Sequence, residues 1–242
     1  MLVATMIALG FWQLRRLDEK RSYNALVESR QEQPIAEVTH VLPAADKVDD
    51  PEVTEVLYRR VRATGAYAAT DTVVVPNRTF NGAPGAWVLT PLVLDDGTAV
   101  IVNRGFVGFE RDGEIVAPDP PTGAVTVEGF IFPSQERGRF GGAGPADANL
   151  HELARANIEQ FQDRVDYDLL PAYVQLVRSD PLEPAPSSGR LVVIGPPVLD
   201  EGPHFGYAVQ WFSFTAIAAG GYVLLLRKVA MEEAKRSTGE MR

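Results

Sequence analysis

Apolar residues gather at the two ends of this chain and alternate with polar ones between them. From Phe205 to Leu226 the sequence reads FGYAVQWFSFTAIAAGGYVLLL, 22 residues without a formal charge. About 20 predominantly apolar residues cross a bilayer core as a helix, so this stretch predicts a transmembrane helix over 204–226. Tyr207 and Trp211 lie towards one end and Tyr222 towards the other, where interfacial aromatics collect, and Arg227 and Lys228 stop the run. The opening MLVATMIALGFWQL is apolar for 14 residues, nearer the length of a signal-peptide core. It has no basic leader, and Trp12, Gln13 and Leu14 stand where small cleavage-site residues belong. It therefore reads as an uncleaved anchor, a transmembrane helix over 1–17 that is cut short at its start. Charge leaves the orientation open, because a long loop translocates regardless of its basic residues. Parity puts both termini on one side, with 227–242 as a tail, and the region 18–203 on the other.

That middle region switches to a period of two. Residues 15–30 predict a short charged helix, and the Pro- and acid-rich stretch after it, as far as Val53, predicts a loop. YRRVRATGAY (58–67) alternates, and TVVVP (72–76) is a β-branched run closed by Pro76. AWVLTPLVL and TAVIVNRGFV, joined by Asp95-Asp96-Gly97, make the clearest hairpin, since glycine adopts a positive φ readily. AVTVEGFIF (124–132), PAYVQLV (171–177) and RLVVIG (190–195) add further strands. HELARANIEQFQDRV (151–165) has apolar residues near helical spacing and predicts one amphipathic helix, while 137–149 predicts a flexible loop. Many short strands with turn residues give a mostly β domain, barrel- or sandwich-like, with one or two short helices.

Composition then excludes several chemistries. The net charge of −9 argues against nucleic acid as a partner, which needs a basic face. With no cysteine there is no disulfide, zinc–thiolate site, iron–sulfur cluster or cysteine nucleophile. His151-Glu152 begins like a metalloprotease helix, but Arg155 stands where the second histidine is required, which leaves His151 as an N-terminal helix residue. The glycines of 138–144 are not followed by Lys-Ser/Thr, and no G-x-S-x-G elbow is present. The chain reads as a protein other than an enzyme.

Three groups remain as candidates. Arg78 and Arg104 sit at the ends of β-runs, either satisfying carbonyls and carboxylates in turns or facing the membrane or a partner. His204 follows Gly202-Pro203 and falls in the first turn of the second span, with Tyr207, Ala208 and Trp211 on its helical face and Gln210 deeper. Trp12 and Gln13 come to a similar depth from the first span, so the two Trp–Gln pairs are expected to meet and hold the helices together. The positive end of a helix opposes protonation of a nearby histidine, and neutral imidazole ligates iron. His204 is thus either an interfacial hydrogen-bonding histidine or a haem ligand.

GFWQLRRLDEK at 10–20, YRRVRATGAY at 58–67, IVNRGFV at 101–107 and HFGYAVQW at 204–211 occur in that order. Together they resemble the Surfeit locus protein one family of cytochrome c oxidase assembly factors. The resemblance implies two membrane spans with both termini inside and the β domain outside, in a bacterial plasma membrane or, by family analogy, the inner mitochondrial membrane. It implies a role in maturing subunit I of a haem–copper oxidase, with membrane lipid and other oxidase or supercomplex subunits as neighbours. The family's second-helix histidine matches His204, which makes His204 the candidate contact and iron ligand for a transiently held haem a, beside Tyr207 and Trp211. A stably bound accessory subunit without a haem role is the competing expectation.

Overall fold

A computed structural model of the chain describes residues 1–42, 48, 50–110, 113–136, 151–183 and 191–239. The chain divides into two compact units, Met1–Leu26 with Val198–Arg242, and Val27–Pro197.

In the first unit, α1 (Leu2–Gln31) is one continuous helix, joining the apolar opening and the charged stretch that the sequence divides, and its last turn continues into the second unit. The other helix of this unit, α5, runs from His204 to Gly239. Among the described residues, α5 alone is long and apolar enough to cross a membrane, over His204–Glu233. The apolar part of α1 ends where Arg15, Arg16 and Asp18 begin. The expectation of two flanking spans is thus met by composition at the C-terminal end only. Along α5, Phe205, Val209, Phe214, Ile217, Tyr222 and Leu224 are exposed, an apolar surface far larger than a water-soluble helix presents.

The second unit is built on a seven-stranded sheet from β1 (Ala36–Glu37), β2 (Arg60–Tyr67), β3 (Val73–Phe80), β4 (Ala83–Leu94), β5 (Ala99–Gly108), β6 (Ala124–Pro133) and β7 (Leu169–Asp180). The order is β1-β2-β6-β7-β5-β4-β3, and β2 also pairs with β4. That extra pairing closes β2, β6, β7, β5 and β4 into a ring, so the domain is a barrel. The closing edge is short, Gly65–Tyr67 against Leu92–Leu94. A β-carbon on Gly65 would lie 2.1 Å from the Val93 carbonyl oxygen, so only glycine lets the two backbones approach there. The hairpin is as expected: Gly97 has φ +86, and Asp96 Oδ1 accepts from the backbone N and the Oγ1 of Thr98.

Alternate residues fill the ring. Val61 and Ala63, Leu92 and Leu94, Val100 and Val102, Val125 and Val127, and Val174 and Leu176 form one buried cluster. Two short helices, α2 (Val38–Val41) and α3 (Pro51–Val56), add Val38, Val41 and Val53 to that cluster, where the sequence suggests loop. A buried Val or Leu contributes on the order of 1.5–3 kcal/mol, so this cluster is the main store of stability. β5 is buried at every residue from Ala99 to Val107 because its other face is covered too. There Ile101, Leu89, Val73 and Tyr173 pack against Leu153, Ala156, Ile158 and Phe161.

That covering segment departs from the helix expected over 151–165. Only α4 (Ile158–Gln162) is α-helical, started by Asn157, whose Oδ1 accepts from Gln160 N at 2.8 Å. Before it, the backbone lies along the edge of β3: Val74 N donates to His151 O at 2.9 Å and Leu153 N to Val74 O at 3.0 Å. His151 is therefore a residue of this edge and not of a helix. An open sheet edge offered hydrogen bonds that helical spacing does not reveal. Similarly, the strand expected at 190–195 is a single bridge, Val192 with Phe106, and Arg190 lies outside the described residues. The loop expected over 137–149 also lies outside them.

Candidate functional site

Pro203 starts α5 by accepting from Tyr207 N at 3.1 Å, which makes His204 the first residue of the helix. One turn later Ala208 is buried, and two turns later Phe212 reaches α1. Its ring occupies the space of a side chain on Gly10: a β-carbon there would fall 2.7 Å from it. Phe11 meets the same ring edge-on at 5.4 Å between centroids. Between these residues and the surface, Gln13 is buried and its Oε1 stands 2.8 Å from His204 Nδ1. Beyond the pair, Arg21 donates from Nε and Nη2 to the two carboxylate oxygens of Glu201, both at 2.8 Å, and Asn24 donates to the Asp200 carbonyl.

The two Trp–Gln pairs do not meet as expected. Gln13 bonds to His204, while Trp12, Tyr207 and Gln210 are exposed. Trp211 is half-buried, with its ring edge-on to Phe214 at 6.2 Å. Neighbouring helix residues point about 100° apart, so a Trp and the Gln beside it cannot both face one partner.

Gln13 fixes how His204 can act. Its amide engages Nδ1, so Nε2 is the ring nitrogen outside this bond. That is the arrangement of a metal-ligating histidine, whose other ring nitrogen is held by a hydrogen bond. The half-buried ring would offer Nε2 to a haem iron. Among the described residues, no group of three His, Asp or Glu side chains is placed to hold a metal ion.

In the barrel, IVNRGFV occupies an irregularity of β5. Val88 pairs with Gly105 but Leu89 pairs with Asn103, so Arg104 is the extra residue of a β-bulge. Its side chain is fully buried. Nη2 lies 2.6 Å from Glu183 Oε2, Nη1 donates to the Pro118 carbonyl at 2.8 Å, and Nη2 also reaches the Asp119 carbonyl. The guanidinium lies 5.6 Å from the centre of the Tyr67 ring. Burial, then the Glu183 charge, push the Tyr67 phenol far above its ordinary range. Gly105 has φ +150, and a β-carbon there would come 2.5 Å from Val192 O. Arg104 therefore presents nothing to a membrane or partner surface, and its guanidinium serves the carboxylate and carbonyls around it.

Arg78 differs. It is half-buried, with its guanidinium 4.1 Å above the Trp87 ring and Nη2 donating to Gln135 Oε1 at 2.6 Å. Burial holds its pKa below the usual arginine value. Tyr173, one of the largest buried side chains, stacks on Phe132, and burial pushes its phenol up to about 12.

Residues 1–216 match the SURF1 family. The chain belongs to that family. A SURF1-like protein of Mycobacterium tuberculosis is 29% identical over 216 residues, covering 88% of this chain and 74% of its own length. A SURF1-like protein of Monosiga brevicollis is 26% identical over 232 residues, 91% of this chain and 83% of its own. The cytochrome oxidase assembly protein SHY1 of Saccharomyces cerevisiae is 35% identical over 113 residues, 46% of this chain and 26% of its own. The SURF1 match runs through Gln13, the β5 bulge and His204, and so includes the residues that the four sequence motifs single out.

Sequence reasoning missed the partners of these residues. Glu183 lies 79 residues beyond Arg104 in a Pro-rich stretch with no spacing signal, and Gln135 follows the end of β6 with none either. Glu128 is a third omission. It pairs with Arg62 at 2.7 Å and Arg60 at 3.1 Å across the β2–β6 face, and its alternation with apolar neighbours was the only clue.

Proposed function

We propose that this SURF1-family protein is a membrane-anchored, non-enzymatic assembly factor of haem–copper cytochrome c oxidase that assists insertion or stabilisation of haem a in subunit I. The Gln13–His204 pair carries the reading: at the start of an apolar helix Gln13 engages Nδ1 of the imidazole, which leaves Nε2 as the nitrogen that would meet an iron. The yeast relative named for cytochrome oxidase assembly supports the same direction.

In this reading 1–17 and 204–226 both lie in the plasma membrane of a bacterium, or by analogy the inner mitochondrial membrane, and the barrel stands on the outer side. Haem a, when bound, supplies the iron that His204 Nε2 ligates. Gln13 orients the ring, and Tyr207 and Trp211 offer aromatic surface around it. Subunit I and neighbouring oxidase or supercomplex subunits receive the complex.

The test is a strain lacking this gene, complemented with the wild type or with His204→Ala. Haem a spectra of the membranes and the amount of subunit I should both fall in the deletion and return with the wild type. His204→Ala should restore little haem a. Normal haem a and subunit I in the deletion strain would overturn the reading. Recovery of the protein in equal amount with the finished oxidase would make it an accessory subunit instead.

A further inference from the structure

The chain just before His204 is held from α1. Arg21 donates to both carboxylate oxygens of Glu201 at 2.8 Å, and Asn24 Nδ2 donates to the Asp200 carbonyl at 2.8 Å. The Arg21 and Glu201 side chains are about half exposed, so the pair adds little to stability. What three hydrogen bonds to two successive residues do fix is the path of the backbone into α5. The next residue, Gly202, has φ +66, a conformation that favours glycine. A β-carbon on it would rest against one edge of the His204 ring, 3.4 Å from Cδ2 and 3.6 Å from Nε2. Nδ1 is the nitrogen engaged by Gln13. Gly202 therefore stands beside the ring edge that carries the other nitrogen, and puts no side chain on it.

We propose that the 200–203 segment controls access to His204 Nε2: Gly202 keeps that nitrogen open to a ligand, and Arg21 and Asn24 are positioning residues that hold the segment beside the ring. The identity of the ligand rests on the haem reading, whereas the access role does not. A broad, flat ligand whose metal meets Nε2 needs clear space beside that nitrogen, which a water or a single hydrogen-bond partner does not. A side chain at position 202, held against the ring by the Arg21 and Asn24 contacts, would take up that space.

The test needs no haem. The full chain in a neutral detergent is treated with diethyl pyrocarbonate, which carbethoxylates accessible imidazoles. Mass spectrometry follows the rate at His204 against the exposed His40 and His151 of the same sample. Gly202→Asn adds a side chain while keeping a residue that tolerates positive φ. It should slow His204 several-fold, with the His40 and His151 rates and thermal unfolding unchanged. Adding Arg21→Met to Gly202→Asn should return much of the lost rate, because the new side chain is no longer held against the ring. A His204 already unreactive in the wild type, an unaltered rate in Gly202→Asn, or a double variant as slow as Gly202→Asn would overturn the proposal. Equal slowing of all three histidines would overturn it too. Ferric haem b, added separately, then probes the ligand: the wild type should give a saturable Soret shift that Gly202→Asn weakens several-fold. A wild type that takes up no haem, yet whose His204 is reactive and slowed by Gly202→Asn, would uphold the access role and overturn the haem reading alone.

Discussion

Arg104 and Glu183 meet at 2.6 Å inside the barrel domain, although 79 residues separate them in the chain. The arginine is wholly buried, and two main-chain carbonyls share its donors. The bulge that turns Arg104 inward also requires the glycine after it, so three consecutive features of IVNRGFV act together. They tie β5 to the backbone at Pro118 and Asp119 and to the stretch that follows β7.

Arg104→Ala would leave the Glu183 carboxylate and two carbonyls without their donor. Breaking a buried pair by removing one partner costs about 3–5 kcal/mol. Urea unfolding of the full chain in detergent should register a loss of that order. Arg104→Lys should recover less than half, because a point charge cannot replace a fork that bonds in three directions. Arg104→Ala with Glu183→Gln should be less destabilised than the two single losses added together.

Gly65→Ala tests ring closure. Its β-carbon would sit 2.1 Å from a backbone oxygen of β4, and no side-chain rotation relieves that. The β2–β4 edge must separate, at a cost of about 1–3 kcal/mol or more for forced overpacking. Amide exchange should speed up at Gly65–Tyr67 and Leu92–Leu94 more than across β2–β6, whose pairing is longer. Uniform acceleration over the whole barrel would count against this account of closure.

Much of the barrel was legible because its strands carry their own signals. Alternation marked β2 and β6, and Asp95-Asp96-Gly97 set the turn between β4 and β5. What failed was wherever a partner distant in sequence decided the outcome. Apolar spacing in 151–157 suited a helix, yet the open edge of β3 claimed its backbone. Trp12 and Gln13 look equivalent in sequence, and the direction of the neighbouring helix separates them. His204 was legible as a candidate from its position before an apolar run, but its bond to Gln13 was not, since nothing local pairs residues 191 apart.

Glu128 predicts a pH dependence of stability. The hydrogen bond from Arg62, with the charges of Arg62, Arg60 and Arg178, holds its carboxyl below the ordinary value of 4.5. A depressed carboxylate stabilises the fold fully above its unfolded pKa and loses that contribution as pH falls through the folded one. The wild type should therefore exceed Glu128→Gln in stability at pH 7, by about 1 kcal/mol or less for partly exposed partners. The gap should narrow from about pH 4.5 downwards. Unfolding of both proteins in urea between pH 7 and 3.5 checks it; a gap that widens in acid would contradict the assignment.

Gln13 should behave as a positioning residue for His204. Gln13→Leu places an apolar side chain of similar size in the seam and removes the amide that bonds Nδ1, freeing the ring to rotate. Complementation of the deletion strain should then fall several-fold in membrane haem a, with the amount of the protein unchanged. Gln13→Glu retains an acceptor oxygen and should keep more function than Gln13→Leu. Because both residues serve one bond, Gln13→Leu combined with His204→Ala should be no worse than His204→Ala alone. If Gln13→Leu lowers the amount of the protein as far as it lowers haem a, Gln13 matters only for packing the two helices, and its role beside His204 is lost.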